Sequence, residues 1–209
     1  MEFFHRAAGR PRRLGILPGT FNPITTAHMA LARAAASTVC EVVFVLPRIF
    51  PHKEYSGVDF DTRMEILSTA VAPAGPFSTA TSAGGLFRDI ARECREAYGE
   101  EVSICFLCGR DAAERIVNWK YPEPDACARM LREFDLLVAA RQGEYNPPPE
   151  FAHAIHRLDL GDDFHVVSAT EVRKRITRGE PWEHLVPAAV HENVRRAYRN
   201  ETPLSAFPL

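Results

Sequence analysis

The sequence has no apolar run that approaches the roughly 20 residues needed to span a bilayer. Residues 1–6 also lack the apolar core of a signal peptide. These two absences predict a cytoplasmic protein with no membrane partner. Basic residues are not in surplus either, since 25 Lys and Arg stand against 27 Asp and Glu, for a formal net charge of −2. That balance argues against a general nucleic-acid binder, whose surface is usually basic.

The chain shows no internal repeat and no low-complexity segment. Its 209 residues, 46% of them hydrophobic, fit one globular domain with at most a small appendage. We expect residues 1–12 to be a loose basic leader and residues 13–209 to form a single domain.

Short apolar runs alternate with helical segments along that domain, beginning with a strand, a helix and a strand at 14–17, 26–37 and 41–46. This order within about 30 residues predicts a parallel βαβ unit. Further strands are expected at 77–81, 101–108, 135–140 and 164–167, and further helices at 61–72, 84–98 and 122–131. The predicted class is α/β: a Rossmann-like open parallel sheet with helices on both faces and C-terminal helices after the last strand.

The cysteines do not form the pattern of a structural zinc site. Cys105 and Cys108 make a C-x-x-C, but the sequence has no second one, and zinc needs about two more ligands. Both cysteines lie in an apolar run that predicts a central strand. We therefore expect buried structural thiols.

Residues 19–28 read Gly-Thr-Phe-Asn-Pro-Ile-Thr-Thr-Ala-His and join the first strand to the first helix. They lack the Gly-Lys-Ser/Thr of a Walker A loop and the later glycines of a dinucleotide fingerprint. The carboxyl end of a strand in an open α/β sheet is nevertheless where ligands bind. Gly19 allows a sharp turn and close approach, and a helix N-terminus suits phosphate. The turn predicts phosphate binding with His28 in the same space; the alternative is an ordinary turn with a capping histidine.

Polar residues follow other predicted strands at the same edge of the sheet. His52 and Lys53 follow the second strand, Asp111 follows the central strand, and Ser168 follows the last one. Each of these residues also has an explanation that involves no ligand. In that alternative, His52 and Lys53 are exposed loop residues, Asp111 is the N-cap of the next helix, and Ser168 forms a capping box with the glutamate three residues later.

Taken together, these segments resemble the nucleotidyltransferase superfamily with the T/HxGH motif, and most closely the nicotinate/nicotinamide mononucleotide adenylyltransferase family. The resemblance covers residues 14–198. It rests on Gly-Thr-Phe-Asn-Pro at 19–23, Pro-His-Lys at 51–53, Gly-Arg-Asp at 109–111 and Ser-Ala-Thr-Glu-Val-Arg at 168–173. Two residues depart from the first motif: Thr25 stands where many members have His, and Ala27 stands where Gly is usual.

The resemblance implies adenylyl transfer from ATP to nicotinate or nicotinamide mononucleotide, which forms the dinucleotide and pyrophosphate in NAD biosynthesis. It implies Mg²⁺ as a cofactor that arrives with ATP. The implied partners are ATP and a pyridine mononucleotide, with no nucleic acid, and a homo-oligomer is left open. The mononucleotide phosphate itself attacks the α-phosphorus, so the protein has to position groups and stabilise charge rather than supply a nucleophile.

The resemblance also implies three sets of site residues, with no protein ligand assigned to a metal. The catalytic set is His28, Lys53 and Arg173. The ATP- and phosphate-binding set is Gly19, Thr20, Phe21, Thr25, His52, Gly109, Asp111, Ser168 and Thr170. The mononucleotide-binding set is Asn22, Ser82, Trp119 and Arg141, in which Trp119 stacks on the pyridine ring.

Several alternatives stay open at this point. Residues 81–85 read Thr-Ser-Ala-Gly-Gly and lack the Tyr of bacterial relatives, which allows another phosphorylated acceptor such as phosphopantetheine. A non-catalytic nucleotide-binding regulatory protein is a further alternative, although His28 and Arg173 argue against it. Trp119 either stacks on the pyridine ring or is an anchor of the hydrophobic core. Arg63, in the helix predicted at 61–72, either belongs to a family Arg-Met segment or is a solvated helix residue.

Overall fold

The computed structural model describes residues 1–50, 57–121, 123–139, 145–160 and 167–199. The strands in these ranges are β1 Glu2–His5, β2 Arg13–Pro18, β3 Glu41–Val45, β4 Phe77–Thr81, β5 Ser103–Gly109, β6 Asp135–Ala139 and β7 Ile155–Leu158. The α-helices are α1 Thr26–Ala35, α2 Phe60–Val71, α3 Phe87–Tyr98, α4 Arg110–Val117, α5 Ala126–Glu133, α6 Ala169–Arg178 and α7 His191–Tyr198. Within this part of the chain, no helix is long and apolar enough to cross a membrane.

The strands form one sheet in the order β1-β4-β3-β2-β5-β6-β7. All neighbours are parallel except β1, which runs antiparallel to β4. From β2 the chain moves outward through β3 and β4, and then returns to the other side of β2 with β5. This reversal opens a crevice at the carboxyl ends of β2 and β5, where open α/β sheets bind ligands. The predicted Rossmann-like sheet with C-terminal helices is confirmed.

Apolar layers cover both faces of the sheet. Along β5, Cys105 and Leu107 face one layer, whereas Phe106 and Cys108 face the other, as the two-residue period of a strand requires. Helices α1, α2, α6 and α7 contribute to the first layer, and α3, α4 and α5 contribute to the second. The central strands are therefore buried on both faces, which explains why they read as continuous apolar runs.

The C-x-x-C behaves as buried structural thiols, and that prediction is confirmed. Cys105 and Cys108 are free and buried, and they face opposite layers. Burial raises the pKa of the Cys108 thiol to about 12. Because the two side chains face opposite layers, they do not point toward a shared metal ion.

The beginning of the chain differs from the loose leader that the sequence predicted. Residues 2–5 form β1, in which Glu2 pairs with Thr81 of β4 and Phe3 with Ala80. The Phe3 ring also lies 5.6 Å from the Tyr98 ring, with an edge-to-face geometry. The sequence of β1, Glu-Phe-Phe-His, does not alternate apolar and polar residues, so hydrophobic periodicity gave no signal for this strand.

Other elements differ in position. β7 was not predicted, and the strand expected at 164–167 lies outside the described residues except for Val167, which is buried but not in a strand. The helices predicted from residues 84 and 122 begin later, at Phe87 and Ala126. Boundaries depend on local turn contacts, which hydrophobic periodicity does not reveal.

Candidate active site

The turn between β2 and α1 lies at the switch point of the sheet. Its Gly19 N–H donates to the Val45 carbonyl of β3 at 3.0 Å. Phe21 has a left-handed backbone, with φ of 42°, and its ring lies over Gly19. A Cβ at Gly19 would come within 3.0 Å of that ring. Glycine therefore leaves room for the Phe21 ring, while its own backbone is not in the left-handed region that favours glycine.

Packing holds the unusual conformation of Phe21. A non-glycine residue at positive φ costs on the order of 1–3 kcal/mol unless its surroundings fix it. The ring is 2% exposed and lies 5.9 Å from the Phe44 ring and 5.3 Å from the His28 ring. The Phe21 side chain thus shapes the turn from the inside.

Arg63 of α2 holds the turn through a hydrogen bond to its backbone. It is 3% exposed, so the alternative of a solvated helix residue is wrong. Its Nη1 donates to the Thr20 carbonyl at 2.8 Å, and its Nε donates to the Val58 carbonyl at 3.0 Å. One buried guanidinium therefore connects the turn to the segment that precedes α2.

Thr25 fixes the orientation of the His28 ring. The Thr25 N–H donates to His28 Nδ1 at 3.0 Å, and the Thr25 hydroxyl lies 2.8 Å from the same nitrogen. Because Nδ1 is the acceptor, the neutral imidazole carries its proton on Nε2. The capping contact and a catalytic contact use different ring nitrogens, so both functions predicted for His28 are compatible.

The structure brings the first and last motifs together although 151 positions separate Asn22 from Arg173. Arg173 Nη1 donates to the Asn22 carbonyl at 2.5 Å, and Nη2 donates to Thr170 Oγ1 at 3.4 Å. Asn22 itself is 6% exposed, and its Oδ1 accepts from the Tyr198 hydroxyl at 2.5 Å. No sequence pattern had indicated Tyr198.

The start of α6 confirms the predicted helix cap. Ser168 Oγ accepts from the Glu171 N–H at 3.1 Å. In a full capping box, the Glu171 carboxylate would accept from the backbone N–H of Ser168. Here it accepts from Arg175 Nε at 2.8 Å instead. The helix N-terminus, with Arg173 one turn further on, makes this end of the site electropositive.

The start of α4 corrects one alternative. The helix begins at Arg110 with Gly109 as its N-cap, so Asp111 is not the N-cap but an exposed residue of the first turn. A carboxylate there is favoured by the helix dipole. The function of Gly109 and Asp111 at the ATP end of the site stays a prediction.

The segment after β4, residues 82–85, is held by hydrogen bonds to buried groups. Ser82 is fully buried, and its hydroxyl donates to the Gly84 carbonyl at 2.6 Å. The carboxylate of Glu93 in α3, 6% exposed, accepts from the Ala83 N–H at 3.0 Å. A Cβ at Gly84 would lie 2.6 Å from an Asp89 carboxylate oxygen, so this loop requires glycine. Sequence reasoning missed Glu93, because a glutamate on a helix normally faces solvent.

Trp119 follows α4 and is 47% exposed, so the alternative of a core anchor is wrong. It lines a surface cavity of about 440 Å³ with Arg115, Asn118 and Lys120. An exposed indole beside cationic side chains suits a planar ligand with negative charge. The stacking of Trp119 on a pyridine ring stays a prediction.

Three residues of the predicted site, His52, Lys53 and Arg141, lie outside the described residues. The Pro-His-Lys loop and the Arg-x-Gly segment therefore stay sequence predictions. The described residues that were predicted for the site lie in the turn at 19–28, at the starts of α4 and α6, at the Trp119 cavity and in the loop at 82–85. The contact between Arg173 and Asn22 joins the turn to α6.

The fold and the joined motifs define a class of protein. Residues 16–175 match the family model described as cytidylyltransferase-like. In the solved structures, the chain resembles the Plasmodium falciparum nicotinic acid mononucleotide adenylyltransferase complexed with NaAD, with a TM-score of 0.66 and 16% identity over 88% of this chain and 95% of that one. At that identity the likeness concerns the fold alone.

Curated sequences narrow the class. The chain is 34% identical to the "Probable nicotinate-nucleotide adenylyltransferase" of Moorella thermoacetica, over 89% of this chain and 90% of that protein. It is 31% identical to the protein of the same name from Thermoanaerobacter sp., over 90% of this chain and 93% of that protein. The chain belongs to the nicotinate-nucleotide adenylyltransferase family, as its motifs predicted.

Proposed function

We propose that this protein transfers the adenylyl group of ATP to nicotinate or nicotinamide mononucleotide, forming the dinucleotide and releasing pyrophosphate in NAD biosynthesis. The observation that carries the proposal is the 2.5 Å contact between Arg173 and the Asn22 carbonyl. This contact joins the turn at 19–28, which bears His28, to the motif at 168–173. The family of the chain supports the choice of acceptor.

His28 stabilises the transition state in this proposal. Its Nδ1 is held by the Thr25 N–H at 3.0 Å, so Nε2–H is the donor for an oxygen of the α-phosphate. Negative charge builds on the oxygens around the α-phosphorus as the mononucleotide phosphate attacks. A donor that is oriented before the reaction stabilises that charge without the cost of reorganisation.

Arg173 and Lys53 balance the charge of the triphosphate and of the leaving pyrophosphate. The described partners of Arg173 are the Asn22 carbonyl and the Thr170 hydroxyl, neither of which carries a formal charge. Its positive charge is therefore left for an anionic ligand. Backbone N–H groups at the start of α6 add donors for phosphate. The Ser168 oxygen accepts from the Glu171 N–H at 3.1 Å, and its own O–H is a further donor.

The metal that accompanies ATP needs no protein cluster of its own in this proposal. Mg²⁺ in phosphoryl-transfer sites is held chiefly by substrate phosphates and water, with one or two carboxylates at most. The described ranges hold no group of three or more His, Cys, Asp or Glu that could bind an ion alone. A metal held by the triphosphate itself requires none, and it supplies charge neutralisation when bound.

Recognition of the acceptor is assigned to the Trp119 cavity and to Asn22, Ser82 and Arg141. The exposed indole of Trp119 provides a stacking surface for the pyridine ring. The hydroxyl of Ser82 and the Oδ1 of Asn22 are engaged within the protein, so these two residues act by shaping the pocket. A cytoplasmic location and a homo-oligomer stay predictions.

A pyrophosphate-release screen tests this function. ATP or CTP is offered with nicotinate mononucleotide, nicotinamide mononucleotide or phosphopantetheine, and the dinucleotide product is identified by mass. We expect release with ATP and a pyridine mononucleotide. Release with phosphopantetheine alone would contradict the proposal and favour the alternative acceptor that the altered segment at 81–85 left open.

A further inference from the structure

The last helix carries a buried hydroxyl group close to the phosphate-binding turn. Tyr198 is the final residue of α7, is 3% exposed, and donates to Asn22 Oδ1 at 2.5 Å. These residues are 176 positions apart. The proposed transfer uses no tyrosine hydroxyl, so this contact needs another explanation.

Asn22 is held at both of its oxygens. Its side-chain Oδ1 accepts from Tyr198, while its backbone carbonyl accepts from Arg173 Nη1 at 2.5 Å. Asn22 also follows Phe21, whose left-handed backbone depends on its surroundings. A movement of Asn22 would therefore displace the anchor of Arg173.

The helix that bears Tyr198, α7, also contacts α2 through polar side chains at the surface. Asn193 Nδ2 donates to Glu65 Oε1 at 3.0 Å, and Arg196 lies 3.7 Å from the same carboxylate. The α2 helix in turn holds the Thr20 carbonyl through Arg63 at 2.8 Å. Together, α2 and α7 fix the residues on both sides of Phe21.

We propose that Tyr198 is a positioning residue for adenylyl transfer, acting through Asn22 to hold the Arg173 guanidinium at the triphosphate site. Without the hydroxyl, Asn22 Oδ1 is buried without this donor, which is unfavourable. The Asn22 side chain is then no longer tethered to α7, the Asn22 carbonyl is no longer held in place, and Arg173 loses its fixed anchor. This inference rests on the proposed function for the meaning of the Arg173 site.

The first test compares two tyrosines. Tyr198→Phe removes the hydroxyl at the site, and Tyr98→Phe is the matched control, because Tyr98 donates at 2.6 Å to Glu41 at the opposite edge of the sheet. We expect both variants to unfold at a lower temperature. Only Tyr198→Phe should raise the KM for ATP, by about tenfold, since small misplacements in a reacting site cost up to about 100-fold. An unchanged KM for ATP in Tyr198→Phe would limit Tyr198 to a structural role.

A double-mutant cycle tests whether the effect passes through Arg173. In an Arg173→Ala background, Tyr198→Phe should have almost no further effect on the KM for ATP, because the group that it positions is gone. Tyr98→Phe should make the same small change in both backgrounds. If Tyr198→Phe raises the KM by the same factor with and without Arg173, the proposed coupling is wrong.

A paired variant keeps the proposal testable if Tyr198→Phe folds poorly. Combining it with Asn22→Leu removes both partners, so no buried oxygen is left unsatisfied and stability should recover. The affinity for ATP, measured by calorimetry, should stay low; recovery to the wild-type value would overturn the proposal. The calorimetric Kd for ATP also separates the positioning function of Tyr198 from the proposed adenylyl transfer. It reports on Arg173 even if no pyridine mononucleotide is adenylylated and the proposed function fails.

Discussion

An amino edge, where the parallel strands begin, and a carboxyl edge, where they end, hold polar side chains in different ways. At the amino edge, Arg13 donates to Asp135 Oδ2 at 2.8 Å and to Cys105 Sγ at 3.0 Å. At the same edge, the buried carboxylate of Glu41 accepts from Tyr98 at 2.6 Å. Burial and this hydrogen bond raise the pKa of Tyr98, so the phenol stays protonated as the donor. The groups at this edge satisfy one another.

At the carboxyl edge, two arginines beside the turn at 19–28 hold backbone oxygens. Arg63 donates to the Thr20 carbonyl, and Arg173 donates to the Asn22 carbonyl. A carbonyl orients a guanidinium but does not neutralise it. The amino-edge groups therefore pair with one another, whereas the described contacts of Arg173 are with uncharged groups, as the proposed binding of ATP phosphates requires.

The strongest way to test this difference is to remove His28. We expect His28→Ala to lower kcat by about 100- to 1,000-fold, as the loss of one oriented donor does in other enzymes. ATP affinity, measured by calorimetry, should change much less. His153→Ala, on the exposed turn before β7, is the control and should keep the wild-type kcat. A near-normal kcat in His28→Ala would remove this residue from the mechanism.

The Trp119 cavity should govern the acceptor and not ATP. Aromatic contacts contribute about 0.5–1.5 kcal/mol beyond area burial. With the lost burial added, Trp119→Ala should raise the mononucleotide KM by about 10- to 100-fold, at about 1.4 kcal/mol per factor of ten. The KM for ATP should hardly move.

Fluorescence offers an independent check of that cavity. The other tryptophan, Trp182, is 7% exposed, so quenching by nicotinate mononucleotide should come from Trp119. The quench should therefore vanish in Trp119→Phe and persist in Trp182→Phe. The reverse result would show that the acceptor ring lies elsewhere.

Arg173 should affect the other substrate. Arg173→Ala should raise the KM for ATP by about tenfold, because hydrogen bonds to charged groups contribute about 1.5 kcal/mol or more. The mononucleotide KM should stay nearly unchanged. Lysine should restore only part of the affinity, since an ammonium cannot make the bidentate contact of a guanidinium. Arg92→Ala, on the distant α3, serves as control; equal effects of Arg173→Ala on both substrates would contradict the assignment.

The smallest effect is expected at the amino edge. Asp135→Asn weakens the ion pair with Arg13, in which both side chains are about one third exposed, at 36% and 33%. Such pairs contribute about 0.2–1 kcal/mol, so the free energy of unfolding should fall by that amount in a denaturant titration. Both KM values and kcat should stay at wild-type levels. A kinetic defect would mean that the two edges are not separate in function.

Local patterns in the sequence were sufficient for the architecture and for the position of the turn at 19–28. Alternating apolar runs and helical segments predicted the open parallel sheet, and the turn at 19–28 was placed correctly at a carboxyl strand end. Such features depend on neighbouring residues and on their period, so they are visible in the linear chain. The family was likewise identified from motifs alone and is confirmed by the relatives.

The tertiary structure alone decided which groups hold that site in place. The contacts of Tyr198 with Asn22 and of Arg63 with the Thr20 carbonyl connect distant segments, and the Glu93 carboxylate reaches the loop at 82–85 from α3. The same is true of β1, which pairs with the distant strand β4. Contacts of this kind follow from how helices dock on the sheet. Because docking brings together residues far apart in the chain, it leaves no local pattern from which a buried tyrosine, arginine or glutamate could be told from an exposed one.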